Sequence, residues 1–275
     1  MVIWINMPNG NLIFIGLGLY DEKDISLKGI EEIKNCDIVF AEFYTAKLTG
    51  TDINKIEKVI GKPVEVLNRE ETEKGNKILD IAKEKKVALL TCGDPMTATT
   101  HVEIRLRAER MGIKTRIIHG SSIITAVPGL LGLQNYKFGR TTTLAFPEKN
   151  YFPTSPYNII KENKKMGLHT LILLDIQEEK RKYMTANEGM SLLLKMEEKH
   201  KEKIITKEDI ICVVARAGSD EPIAYAGLIK DIIDIDFGPT LHSLVIPGKL
   251  HFMEIEAIQI LAQLPAQQGR KLQKL

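Results

Sequence analysis

Four stretches of this chain combine small residues with polar ones in the way a ligand-binding loop requires. They are residues 16–20, 93–97, 120–123 and 215–220. Glycine and other small residues allow backbone groups to come close to a ligand, and serine, threonine and aspartate supply hydrogen bonds. In Cys92-Gly93-Asp94-Pro95, glycine permits a turn, Asp94 can pin backbone amides or a ligand hydroxyl, and Pro95 fixes the exit of the chain. The same four residues serve equally as an Asx-type turn that caps a following helix. Gly16-Leu17-Gly18-Leu19-Tyr20-Asp21 begins like a dinucleotide fingerprint, but Asp21 stands where the third glycine must allow close helix–strand packing. A tight strand-exit turn explains that loop as well as a ligand does. The chain has no Gly-x-Ser-x-Gly elbow and no Walker lysine loop. Cys36, Cys92 and Cys212 are far apart and lie in or beside apolar runs, so they read as core thiols, and no metal site is expected. His242, inside a strand, reads as a satisfied half-buried residue, and His101 either faces a cleft or starts a helix.

The elements that must hold these loops are legible as alternating apolar runs and helical patterns. Strands are expected near residues 11–19, 37–43, 63–67, 87–92 and 115–119. Helices are expected at 27–35, capped by Ser26 with Leu27, Ile30 and Ile33 on one face, at 72–84, and at 99–111 with Gly112 just beyond its end. That rhythm predicts βαβ units and a largely parallel sheet covered on both faces. In open α/β sheets ligands bind beyond the carboxyl ends of the strands, where all four loops are expected to fall. The second half repeats the rhythm, with strands at 142–146, 169–176, 210–216, 223–226 and 241–246. Its helices begin at Ser155-Pro156, at the capping box Thr185-Ala-Asn-Glu188, and at Met253 to run through Leu264. Residues 195–209 read as a charged, solvated connection, and Arg105, Arg107 and Arg110 with Glu103 and Glu109 as a solvated helix face. The expected architecture is two α/β domains, residues 11–122 and 123–265, with a glycine-lined cleft between them. Residues 1–10 and 267–275 read as loose extensions, and 151–155 as a surface loop.

Composition narrows the functional classes. Of 275 residues, 44% are hydrophobic and 27% charged, which suits a cored globular chain. Lysine plus arginine number 38 against 36 acidic residues, so no overall charge argues for nucleic acid or a membrane surface. The apolar runs are of strand length, and Val2 to Ile5 is too short and wrongly flanked for a signal peptide. Free cysteines in odd number point to a reducing compartment, most simply the cytoplasm.

Taken together, the loops resemble those of the diphthine synthases, within the tetrapyrrole methylase-like family of S-adenosylmethionine-dependent methyltransferases. The segments that carry the resemblance are Phe14-Ile-Gly-Leu-Gly-Leu-Tyr-Asp21, Ala41-Glu-Phe-Tyr-Thr45, Gly93-Asp-Pro95 and Ala98-Thr-Thr-His101. They continue with Tyr136-Lys-Phe-Gly139, Phe152-Pro-Thr-Ser155, Gly167-Leu-His-Thr-Leu171, Tyr183-Met-Thr-Ala-Asn187, Ala215-Arg-Ala-Gly-Ser219 and Pro247-Gly-Lys-Leu-His251. Gly-Asp-Pro marks the wider family, whereas Ala-Glu-Phe-Tyr-Thr and the later segments are similar to the diphthine synthases in particular. The resemblance implies successive methylation of the amino group of 3-amino-3-carboxypropyl-histidine in translation elongation factor 2, giving diphthine in diphthamide biosynthesis. In eukaryotic relatives a fourth methyl esterifies the carboxylate. Leu241-His-Ser-Leu244 and the charged stretch before Ile210 lean toward that type.

The resemblance also implies S-adenosylmethionine held in the interdomain cleft, S-adenosylhomocysteine as its product, and a homodimer. Positions matching the family's cofactor contacts are Leu19, Asp94, Thr97, Ser122 and Ile123 in the first half, and Leu174, Ala215 and His242 in the second. Asp94 is expected to bind, and no single side chain to be an essential base. Two rival readings remain. One keeps the fold and cofactor with a tetrapyrrole precursor as acceptor; the other is a non-catalytic module that binds elongation factor 2.

Overall fold

Apolar residues in unbroken runs form strands that are covered on both faces, and the chain uses this pattern first. A computed structural model describes residues 10–44, 46–148 and 152–272. Residues 1–9 of the predicted N-terminal extension (1–10), Thr45, residues 149–151 and the last three residues lie outside the described residues. The chain divides into two compact units, Met1–Ile123 with Gln177–Lys180, and Ile124–Ile176 with Arg181–Leu275.

The first unit is built on five parallel strands: β1 (Asn11–Gly16), β2 (Ile38–Glu42), β3 (Glu65–Leu67), β4 (Lys86–Thr91) and β5 (Lys114–Ile118). Their order across the sheet is β3-β2-β4-β1-β5. The register pairs Phe14 with Leu89 on one side and with Ile117 on the other. Alternate residues then serve opposite faces. Ile13, Ile15, Val39, Ala41, Ala88 and Leu90 pack into one core, and Leu12, Phe14, Phe40, Val87 and Leu89 into the other. Helices α1 (Leu27–Lys34) and α2 (Ile53–Ile60) cover the first face through Ile33, Ile56 and Ile60. After α3 (Arg69–Lys74), helices α4 (Asn76–Ala82) and α5 (His101–Arg110) cover the second through Ile78, Leu79, Ile104 and Ala108.

Several local expectations are met and others corrected. Ser26 Oγ accepts from Gly29 N at 3.0 Å and caps α1, but Leu27 in its first turn is exposed rather than part of the buried face. The single helix expected at 72–84 is two helices, because Gly75 adopts φ +62° and closes α3 in a left-handed turn before α4 begins. The arginines of α5 are more than a solvated face. Arg105 Nε donates to Thr115 Oγ1 at 3.0 Å, and Arg107 donates to Lys74 O and Asn76 Oδ1 at 2.5 and 2.6 Å.

Helix α6 (Ile123–Leu131) leads into the second unit. Its main sheet uses β6 (Thr142–Leu144), β7 (Thr170–Leu174), β10 (Ile210–Ala215), β11 (Ile223–Leu228) and β12 (His242–Ile246) in the order β11-β10-β12-β7-β6. Only β6 and β7 run parallel; the other pairs are antiparallel. The short strands β8 (Ile176–Gln177) and β9 (Lys182–Tyr183) pair as a hairpin. Helices α7 (Ser155–Lys165), α8 (Ala186–His200), α9 (Ile229–Ile232), α10 (Phe252–Leu261) and α11 (Ala266–Leu272) complete the unit.

The Thr185–Glu188 capping box opens α8 as expected, but the helix continues through His200. The first six residues of the predicted charged connection, 195–200, are therefore helical, closed by Lys201 at φ +57°. Its inner residues Met190, Leu193 and Met196 are buried, so the charges ride on the outer face of a packed helix. Helix α10 stops at Leu261, short of the expected Leu264. The predicted C-terminal extension is instead largely helix α11.

Candidate functional site

The carboxyl edge of the parallel sheet gathers three of the four candidate loops. Gly18 and Gly93 exchange backbone hydrogen bonds, Gly18 N to Gly93 O at 3.3 Å and Gly93 N to Gly18 O at 2.6 Å. Gly16, Gly93 and Gly120 bring the three loops together, backbone against backbone. A Cβ added to Gly16 would lie 2.5 Å from Gly93 O and 2.6 Å from Gly120 N, and one on Gly120 would lie 2.4 Å from Gly93 O. Their smallness is used for contact between loops. Gly93 is different, since at φ +69° an added Cβ meets nothing nearer than Ser121 O at 3.9 Å.

Asp24 fixes the first loop. Its Oδ2 accepts from the backbone N–H groups of Leu19, Tyr20 and Asp21 at 3.0, 2.7 and 3.4 Å. In the second loop Asp94 Oδ1 accepts from Met96 N at 3.0 Å and from Thr97 Oγ1 at 3.2 Å, an Asx turn. Its Oδ2 lies 2.6 Å from His119 Nδ1, at the exit of β5. Partial burial opposes ionisation of Asp94, but the Met96 N–H, His119 and Thr97 outweigh it and hold its pKa below the ordinary carboxylate value. Much of the hydrogen-bonding capacity of Asp94 and the Thr97 hydroxyl donor is therefore committed within the protein. Leu19, Ser122 and Ile123 are partly exposed at the same edge.

Behind the second loop, Glu42 and His101 are both fully buried. His101 Nδ1 donates to Pro95 O at 3.1 Å, which anchors the Gly-Asp-Pro turn, and Nε2 lies 3.5 Å from Glu42 Oε1. Of the two alternatives for His101, it is the helix-starting residue and faces inward. The Thr91 and Thr99 hydroxyl oxygens are buried without a hydrogen-bond partner. Unpaired buried polar atoms are uncommon in native proteins. Two at a glycine-lined loop cluster fit a ligand with its own hydroxyl and amino groups, as the ribose and amino-acid parts of S-adenosylmethionine have.

In the second unit Leu174, Ala215 and His242 also share one sheet edge. Ala215 closes β10 directly opposite His242 at the start of β12. Leu174 closes β7 one residue beyond Leu173, the partner of Ser243. His242 is buried more fully than expected: Nδ1 accepts from Ala186 N at 3.1 Å and Nε2 donates to Pro239 O at 3.0 Å. Burial lowers its pKa, so the ring is neutral at this edge. A groove of about 360 Å³ lined by residues such as Phe146, Lys182, Asn187 and Leu192 lies elsewhere in this unit and includes none of the three.

Sequence reasoning missed Asp24 and His119. Asp24 carried a usable signal, an acidic residue just after a glycine-rich turn. His119 carried none, because its partner Asp94 is 25 positions away.

Known proteins resemble this chain along most of its length. Residues 11–233 match the family model of the Tetrapyrrole (Corrin/Porphyrin) Methylases. A diphthine synthase of Methanococcus maripaludis is 54% identical over 251 residues, 91% of this chain and 98% of that protein. One from Methanocaldococcus jannaschii is 52% identical over 255 residues, 92% of this chain and 99% of that protein. A crystal structure of a diphthine synthase superposes with a TM-score of 0.86 at 41% identity, covering 94% of this chain and 98% of that one. The chain belongs to the tetrapyrrole methylase family and, within it, to the diphthine synthases.

Proposed function

We propose that this chain is an S-adenosylmethionine-dependent methyltransferase of diphthamide biosynthesis. It methylates in succession the amino group of the 3-amino-3-carboxypropyl-histidine of translation elongation factor 2, yielding diphthine. The observation that carries the reading is the likeness to diphthine synthases over nine tenths of the chain.

The cofactor supplies a methyl group already activated on a sulfonium. The residues proposed to hold it are Leu19, Asp94, Thr97, Ser122 and Ile123 in the first unit and Leu174, Ala215 and His242 in the second. Leu19 N–H is turned toward Asp24, so Leu19 offers its side chain and carbonyl. Asp94 acts chiefly by shaping the turn that carries Thr97. Apolar Leu174 and Ala215 and the neutral His242 add no ionised group beside a cationic sulfur. What the protein contributes is orientation and the removal of a proton from the amine, since an aligned attack by nitrogen supplies much of the acceleration. We place the enzyme in the cytoplasm as a homodimer, with elongation factor 2 as its protein partner.

Intact-mass measurement of elongation factor 2 bearing the aminocarboxypropyl histidine, incubated with this chain and S-adenosylmethionine, tests the reading. Three added methyl groups are expected, and four would assign the methyl-ester-forming type. No mass change with competent substrate and demonstrated cofactor binding would sink it, and a tetrapyrrole acceptor or a binding-only role would replace it.

A further inference from the structure

His119 is the first residue after β5, between the Gly-Asp-Pro loop and the Gly120-Ser121-Ser122 loop. Its side chain is 73% exposed while that of Asp94 is 10% exposed, and the two meet at 2.6 Å through Nδ1 and Oδ2. An ionised carboxylate only accepts hydrogen bonds, so Nδ1 of His119 carries the hydrogen. In the neutral ring the lone pair is then on Nε2, which has no hydrogen-bond partner among the described residues. Asp94 is itself held by the Met96 amide and the Thr97 hydroxyl, so the imidazole is oriented from a fixed point. An imidazole with a set tautomer, an open nitrogen and an anchored carboxylate behind it is the arrangement of a general base.

We propose that His119 accepts the proton of the substrate amine, with Asp94 as the residue that fixes its tautomer and orientation. The proposal rests on the methyl-transfer reading above and revises the expectation that no side chain acts as base. The substrate ammonium gives one proton to Nε2 and keeps the N–H electron pair. That pair forms the new bond to the methyl carbon as the carbon–sulfur bond breaks, with its electrons remaining on sulfur. The product nitrogen is again positively charged, and while it retains a hydrogen it must lose a further proton before the next transfer. Three methylations therefore release three protons. A base serving such a series must return to its neutral form between rounds. The exposure of His119 lets it pass each proton to water, which the buried His101 and His242 cannot do as readily.

The test compares wild type with His119→Asn, whose side-chain amide can still donate to Asp94 from the Nδ1 position. Single-turnover methyl transfer is followed by mass spectrometry, S-adenosylhomocysteine affinity by calorimetry, and the His119 tautomer by nitrogen-15 NMR in wild type and Asp94→Asn. In His119→Asn the rate is expected to fall about 100-fold at neutral pH. Affinity is expected to change less than about threefold. The rate deficit is expected to shrink as rising pH deprotonates the amine without help. Wild type is expected to hold hydrogen on Nδ1, with a mixture of tautomers in Asp94→Asn. An unchanged rate in His119→Asn, or loss of rate and affinity together without recovery at high pH, overturns the proposal and leaves His119 a structural prop. A wild-type chain that binds S-adenosylhomocysteine yet transfers no methyl group overturns the parent reading, and this proposal with it.

Discussion

His169 Nε2 donates to Glu254 Oε1 at 3.0 Å, and both residues are fully buried. Gly248 N donates to His169 Nδ1 at 2.9 Å, so the ring is neutral with its hydrogen on Nε2. Glu254 also accepts from Gln134 N at 3.0 Å, from His251 N at 2.8 Å and from Lys137 Nζ, joining the turn after α6 to the start of α10. Burial opposes its ionisation, but these donors bring its pKa down to about 2. Burial also lowers the pKa of His169 from its ordinary 6.5.

These shifts set the acid stability of the second unit. The folded pKa of Glu254 lies below its ordinary 4.5. Its contribution is therefore full above that pH and lost as pH falls toward 2, on the order of 3 kcal/mol in all. His169 acts in the same direction, contributing above about pH 6.5 and losing its contribution as the solution becomes more acidic. Urea unfolding between pH 7 and 2.5 is expected to show this decline. Glu254→Gln is expected to be roughly 3 kcal/mol less stable at pH 7 and flatter below pH 4.5. Parallel pH profiles for the two proteins would refute the assignment.

Two glycines give a matched comparison. Gly120→Ala places a Cβ 2.4 Å from the Gly93 carbonyl, backbone that has nowhere to go, and is expected to cost roughly 3 kcal/mol. Gly129, exposed in α6, has no atom within 4 Å of an added Cβ, and Gly129→Ala is expected to stabilise by about 0.5–1 kcal/mol. Chemical denaturation of both variants decides; equal effects would contradict the loop contact.

Asp24 holds three backbone amides that an alanine would release. In Asp24→Ala, hydrogen exchange at Leu19, Tyr20 and Asp21 is expected to quicken about tenfold, with a similar loss of S-adenosylhomocysteine affinity. Exchange that quickens with affinity unchanged would remove this loop from the binding site.

All three thiols should be inert in the native protein. Burial pushes Cys36 up to about 11 and Cys212 to about 12, while burial and the Glu42 charge raise Cys92 well above the usual thiol value. Ellman's reagent is expected to find no rapidly reacting cysteine until denaturant is added, and then three. A fast native thiol would show that one of these cores opens readily.

The parallel sheet was legible because its strands are buried on both faces, which leaves the runs Leu12–Ile15 and Val87–Leu90 apolar without interruption. Helix α2 was missed although Asp52 caps it, Ile56 and Ile60 face the core, and Gly61 closes it at φ +71°. Its signal was present but short. The break at Gly75 was missed because α3 carries no apolar periodicity of its own to mark it off from α4, and only a left-handed glycine separates the helices. Asp94 and Thr97 were legible as a turn, whereas the pairing of Asp94 with His119 depends on strand order. The observed order, with β4 and β5 on either side of β1, brings those two loops together.

That strand order also governs what a ribosome must deliver before the first unit can assemble. The first strand to emerge pairs with neither of the next two; its partners begin at Lys86 and Lys114. At synthesis rates of roughly 5–20 residues per second, its apolar residues wait about 5–20 s for both neighbours to be made. During that interval Leu12 to Ile15 is a sticky, unpaired segment that must be kept from wrong partners.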